Sequence, residues 1–110
     1  MVSGKYAQLR RLLSELESMM KAADLWASKP PNKAAFASRA PFCIDTMTIL
    51  EWLQFVFLPK LSHLIAQNAA LPQTSGILPV VEECLPKQVK HYEQILELVR
   101  RVDHFLSNSA

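Results

Sequence analysis

Apolar side chains at Leu9, Leu12, Leu13, Leu16, Met19, Met20 and Ala23 follow one another at intervals of three and four, which draws a single stripe along a helix. The pattern predicts a first helix over residues 5–25, one face on a core and the other in water. On the wet face Arg11 precedes Glu15, and Glu17 precedes Lys21, by about one helical turn. Met19 and Met20 lie on the stripe and read as core filling rather than as an adaptable binding surface.

The periodicity stops between Trp26 and Phe42. Pro30, Pro31 and Pro41, with Ser28, Asn32 and Ser38, mark a long connection that holds one helical turn over residues 32–36. Connections of this length need a role. Trp26, Phe36 and Phe42 are expected to pin it to the core while Lys29, Lys33 and Arg39 stay in water.

A second helix is predicted over residues 46–67, with two starts open: Asp45 as a cap, or Thr48 with Glu51 as a capping box one turn later. Pro59 in its interior should remove one hydrogen bond and bend the axis. Apolar residues fill most directions of its wheel, so this helix is expected to be the innermost rod. Gln54 falls inside the apolar arc between Leu61 and Ile65 and must find a buried partner. Phe55 and Leu58 fall instead on the polar side with Thr48, Glu51 and Ser62; either the connection folds over them or they form a partner-binding patch. Trp52 is expected to fill the space beside the proline, its N–H on a carbonyl freed there.

Beyond Leu71–Pro72 and a Ser75–Gly76 turn, a short helix is predicted over residues 77–85, with Pro79 in its first turn, Glu82 and Glu83 outward, and Pro86 as its stop. The last helix is predicted over residues 87–106, with Val89, Tyr92, Ile95, Leu96, Val99, Val102 and Leu106 on one face and Glu97 placed for Arg100 or Arg101. Leu98 and Phe105 share a second line, suited to packing on the short helix or to self-association. The tail, residues 107–110, should fray.

These elements make residues 1–110 one all-α domain of four main helices, and composition agrees: half the residues are hydrophobic, a fifth are charged, and there are two glycines, too few for hairpin turns. The N-terminal run has no apolar core like that of a secretory signal. The richest apolar stretch is interrupted by Glu51, Gln54 and Pro59–Lys60, which speaks against a membrane span. A cytoplasmic protein is expected, with Cys43 and Cys84 as two buried reduced thiols and no metal or cofactor. The overall net charge of +2 hides an asymmetry: residues 1–39 hold seven Lys or Arg against three acids, net +4, and residues 40–110 hold five against seven, net −2.

Pro41–Phe42, Asp45–Thr46–Met47, Glu51–Trp52–Leu53–Gln54, and Pro59 followed by the basic Lys60, together resemble the signature of the YqcC-like family of small bacterial proteins. The likeness continues through the leucine-rich first helix, residues 36–38, Leu71–Pro72 and the leucine-rich last helix, so it covers nearly the whole chain. Arginine and methionine are common in that family where this chain has Lys60 and Leu61, and the lysine would lose any bidentate contact the arginine makes. The resemblance implies a cytoplasmic bundle of four or five helices whose gene often neighbours one for a tRNA pseudouridine synthase of the TruC type. Such a synthase needs a larger mixed-sheet domain with a catalytic aspartate, which 110 helical residues do not supply. The role implied is that of an accessory protein to the synthase or its RNA.

Three function classes can be set against the residues. An interaction module would use a patch of Phe55, Leu58, Leu98 and Phe105 to hold a heterologous partner, such as the synthase, or a second copy of the chain. An RNA-binding protein would meet tRNA through Arg10, Arg11, Lys29, Lys33 and Arg39 beside aromatics, although a pI of 8.7 is modest for that class and no RNP, KH or zinc-knuckle pattern occurs. An enzyme would need Asp45, Glu51, His63, His91 or His104 to converge in a cleft. Asp45 and Glu51 are better explained as helix-start residues, and adjacent Asp103 and His104 point about 100° apart on a helix. The expectation is therefore a non-catalytic helical interaction module.

Overall fold

The computed structural model describes residues 4–72 and 76–108. Among them lie four helices and no strand: α1 (Gly4–Ala22), α2 (Ile49–Ala66), α3 (Ile77–Cys84) and α4 (Tyr92–Ser107). The predicted stripe of α1 buries Leu9, Leu13, Leu16 and Met20, joined by Tyr6. The helix stops at Ala22 rather than residue 25 because Asp24 takes a left-handed conformation, φ 60°. Leu25 N–H then donates to the Met20 carbonyl and Asp24 N–H to that of Lys21, a Schellman closure. Asn68, φ 51°, ends α2 in the same way, with Ala69 donating to Leu64 and Asn68 to Ile65. The Tyr6 hydroxyl, in the first turn of α1, ties the start of that helix to the closure of α2 by donating to the Ala69 carbonyl at 2.7 Å.

Contacts run from α1 to α4, α4 to α3, α3 to α2 and α2 to α1, a ring around one shared core. The expectation that α2 is the innermost rod is thereby corrected. Leu53 and Leu61 of α2 are fully buried, but so are Leu9, Leu16 and Met20 of α1 and Ile95, Val99, Val102 and Leu106 of α4. The wide apolar arc of α2 is covered on one flank by the aromatic connection instead of by a further helix. With 18 residues, α2 is also long and apolar enough to cross a membrane by length and composition, despite the interruptions noted above; its Ile49, Leu53, Phe57, Leu58, Leu61 and Ile65 are buried in the domain core.

Pro59 acts through register. Residues Leu53–Phe57 wind as a π turn, Leu58 N–H donating to the Leu53 carbonyl five residues back. This wider turn leaves room where the proline ring would otherwise meet the carbonyl of Phe55.

The last helix begins at Tyr92, not residue 87. Val89 N–H closes a turn onto the Pro86 carbonyl, and His91 stands at φ 59°, a conformation outside the right-handed helix. The start of α3 is capped from a distance: Gly76 supplies the left-handed entry, φ 63°, but no side chain, and Asp103 of α4 accepts from Leu78 N–H at 3.2 Å. Ser75 and the tail residues Ser109 and Ala110 lie outside the described residues. Asn108 closes α4, its side chain donating to the His104 carbonyl at 2.8 Å.

Candidate interaction surface

The connection between α1 and α2 carries five of the residues that resemble a family signature, Pro41, Phe42, Asp45, Thr46 and Met47, and side-chain hydrogen bonds hold it at its entry and along its two turns. At its entry Gln54, buried in the apolar arc, accepts from Ala27 N–H and donates to the Ala27 carbonyl, each at 2.8 Å. Asn32 then starts a 3-10 turn, Lys33–Ala37, by accepting from Ala35 N–H at 3.0 Å. A second 3-10 turn, Pro41–Cys43, contacts the first, and the Thr46 hydroxyl donates to the Ala35 carbonyl at 2.7 Å. Ser38 donates to the Asp45 carboxylate and accepts from Ala40 N–H. Phe42 and Cys43 stand at φ 58° and 50°, where a non-glycine residue is held only by its surroundings. For Phe42 those surroundings are visible: its ring meets Trp52 edge-on at 5.0 Å, and Trp52 stacks on Phe57 at 5.3 Å.

Thr48 and Glu51 win the competition for the start of α2, with Glu51 N–H donating to the threonine oxygen at 3.0 Å and Thr48 N–H to the glutamate at 2.8 Å. Asp45 is no cap; it is exposed and bonded to Ser38. Trp52 has no hydrogen bond to a carbonyl beside Pro59 among the described residues, and its environment is the aromatic pair Phe42 and Phe57. Met47 and Leu53 are buried and structural, Thr46 ties the two 3-10 turns, and Pro59 and Lys60 are exposed on α2.

The connection is pinned by Trp26, Phe42 and the buried Ala35 and Met47, not by Phe36. Phe36 is 40% exposed and Ile44 53% exposed. Ile44 borders a groove of about 580 Å³ whose walls are residues 44–51 together with Cys84 and Pro86, so the signature residues Asp45, Thr46, Met47 and Glu51 share it with the end of α3. Cys43 and Cys84 are free and half-buried rather than buried.

The expected patch of Phe55, Leu58, Leu98 and Phe105 does not form. Leu58 is buried and borders a recess that it shares with Leu13 and Ser14 of α1; Leu98 is buried and lines a groove of about 660 Å³ between α1 and α4. Phe55 and Phe105 are half-buried. The five expected RNA contacts also divide. Arg11 borders the α1–α4 groove among Glu15, Glu93 and Glu97, and Arg10 lines a separate recess with Glu17. Lys29, Lys33 and Arg39 are all exposed on the connection.

Of the candidates for catalysis, Asp45 and Glu51 border the same groove but are engaged as a partner of Ser38 and a capping-box residue. Glu51 and His63 are about 18 Å apart along α2, and His91 and His104 about 20 Å apart along α4, from the helical rise alone. Among the described residues no group of three or more His, Cys, Asp or Glu is placed to hold a metal ion. Sequence reasoning missed Asp103 as a tertiary cap, because nothing local to α3 points to it.

Fold and connection define a small all-helical domain closed by a long, hydrogen-bonded segment. The chain belongs to the family described as tRNA pseudouridine synthase C, whose model matches residues 8–105. It is 35% identical over 102 residues to an uncharacterized protein of Haemophilus influenzae, covering 93% of this chain and 95% of that one. It is 29% identical over 103 residues to the uncharacterized protein YqcC of Escherichia coli, covering 94% of each. The solution NMR structure of E. coli YqcC superposes with a TM-score of 0.85 at 28% identity, over 98% of this chain and 92% of that one. A tRNA pseudouridine synthase C of Pectobacterium carotovorum is 40% identical over 67 residues, which are 61% of this chain but 18% of that protein.

Proposed function

We propose that this chain is a non-catalytic interaction module that assists tRNA pseudouridine modification by associating with the synthase. The observation that carries the reading is the Pectobacterium relative, in which a segment like this one sits inside a far longer polypeptide named tRNA pseudouridine synthase C. Covalent linkage holds two modules at high effective concentration. Where the modules are separate chains, a surface must replace the linker, and the connection 27–48, rigid and carrying exposed Phe36 and Ile44, is suited to that.

The test is reconstitution. Purified chain and the tRNA pseudouridine synthase C of the same organism are mixed, complex formation is read by sedimentation, and pseudouridine formation in tRNA is timed with and without the chain. A complex and a changed rate are expected. Absence of both overturns the reading, as does pseudouridine formation by this chain alone.

A further inference from the structure

Resting on the reading above, which brings the chain to tRNA, we propose that the 3-10 turn Lys33–Ala37 and its flanks form a contact site for unpaired RNA. Phe36 stacks on a base, and Lys33, with Lys29 and Arg39, takes the neighbouring phosphates.

Three observations carry this. The first is the position of Phe36. In a 3-10 helix residues three apart eclipse, so Lys33 and Phe36 lie over one another on a common face, while Ala35 is the residue turned into the core. An ammonium beside an outward ring matches a nucleotide, which offers a π-face and a phosphate in one unit.

The second is charge. From residue 25 to residue 44 the chain has no Asp or Glu, yet it holds Lys29, Lys33 and Arg39, all exposed. Among the described residues none of these three is in an ion pair, in contrast to Lys21 with Glu17 and to Arg100 and Arg101 with Glu97. Arg10 and Arg11 border recesses that also hold carboxylates, Glu17 for the first and Glu15, Glu93 and Glu97 for the second, which oppose a phosphate there. The third is rigidity. Asn32, Thr46 and Ser38 fix both ends of the turn by side-chain hydrogen bonds, so the platform is ordered before anything binds and little ordering entropy opposes binding.

The experiment is fluorescence anisotropy with a short labelled single-stranded RNA of mixed sequence, an in-vitro transcribed tRNA, and a fully paired RNA duplex. Three phosphate contacts on a single strand give a salt slope of about −2, so affinity should fall roughly twenty-fold from about 50 to about 200 mM salt. Phe36→Ala should weaken single-strand binding roughly tenfold or more with the salt slope unchanged, and Phe36→Trp should retain it. The triple change of Lys29, Lys33 and Arg39 to Gln should flatten the slope. Circular dichroism should show the same helix content for all variants, since each side chain is exposed.

No binding of either unpaired RNA or tRNA overturns the inference. So does binding that Phe36→Ala leaves within twofold, an equal loss on duplex RNA, or equal displacement by polyglutamate, which would mark an acidic protein as the partner. If RNA binding fails while the synthase complex forms, this site falls and the accessory role stands. If RNA binds as described and no synthase complex forms, the converse holds.

Discussion

Gln54 grips the main chain of Ala27 with both ends of its amide, at 2.8 Å in each direction, across 27 residues of sequence. The pair anchors the entry of the connection to α2. Gln54→Ala would leave one N–H and one carbonyl without partners in a partly buried setting, so urea unfolding should show a loss of about 2 kcal/mol. Gln54→Glu should be as damaging, since a carboxylate facing the Ala27 carbonyl supplies no donor. A loss under about 0.5 kcal/mol for both would mean that water replaces the amide.

The two conceivable starts of α2 can be separated by substitution. Thr48→Ala should cost about 1 kcal/mol, because it removes the acceptor for Glu51 N–H. Asp45→Ala removes only an exposed bond to Ser38 and should cost well under half of that. Equal losses would contradict the capping box.

Asp103 reaches from α4 to the start of α3, whose N-cap residue Gly76 has no side chain to offer. Asp103→Ala is expected to cost about 1–2 kcal/mol and to speed hydrogen exchange at Leu78 and its neighbours more than elsewhere, while Asp103→Asn keeps an acceptor and most of the stability. Uniform acceleration across all four helices would show that the residue supports the whole core instead.

Asp24 occupies the left-handed position that closes α1, where glycine has no Cβ to strain. Its ion pair with Lys90 spans 3.9 Å between largely exposed side chains and contributes little. Asp24→Gly should therefore raise stability, by about 0.5–1 kcal/mol in urea unfolding. A drop in stability would assign Asp24 a role that its geometry does not suggest.

Trp52 offers a spectroscopic check. Its indole sits between Phe42 and Phe57, so Trp52→Phe should lose much of the near-ultraviolet dichroism and about 1 kcal/mol of stability while leaving RNA or synthase binding within twofold. A larger effect on binding than on stability would move Trp52 from scaffold to contact surface.

The helices were legible in the sequence because their signals are local. Periodic leucines, the Thr48–Glu51 box, the prolines at the ends of α3 and the lone polar Gln54 in an apolar arc each act within a few turns of chain. Helix ends set by left-handed residues were not legible: Asp24 and His91 carry no composition cue comparable to a glycine, and so α1 ends three residues before, and α4 starts five residues after, the bounds that periodicity predicts. The candidate surface divides in the same way. That Lys29, Lys33 and Arg39 share an acid-free stretch can be read directly from the residues. That Phe36 faces outward, and Leu58 and Leu98 inward, depends on which neighbour covers each side chain.

Sequence by itself determined an all-helical domain, its four amphipathic segments and the demand that Gln54 be paired, since propensity, period and polar satisfaction are properties of short stretches. Tertiary structure alone decided that α2 shares the core in a ring rather than filling its centre, that α3 is capped by a carboxylate 25 residues away, and that the connection is locked on the face of α2. Those outcomes arise from side chains meeting across long separations, where burial of one apolar face against another selects the arrangement and no local pattern records it.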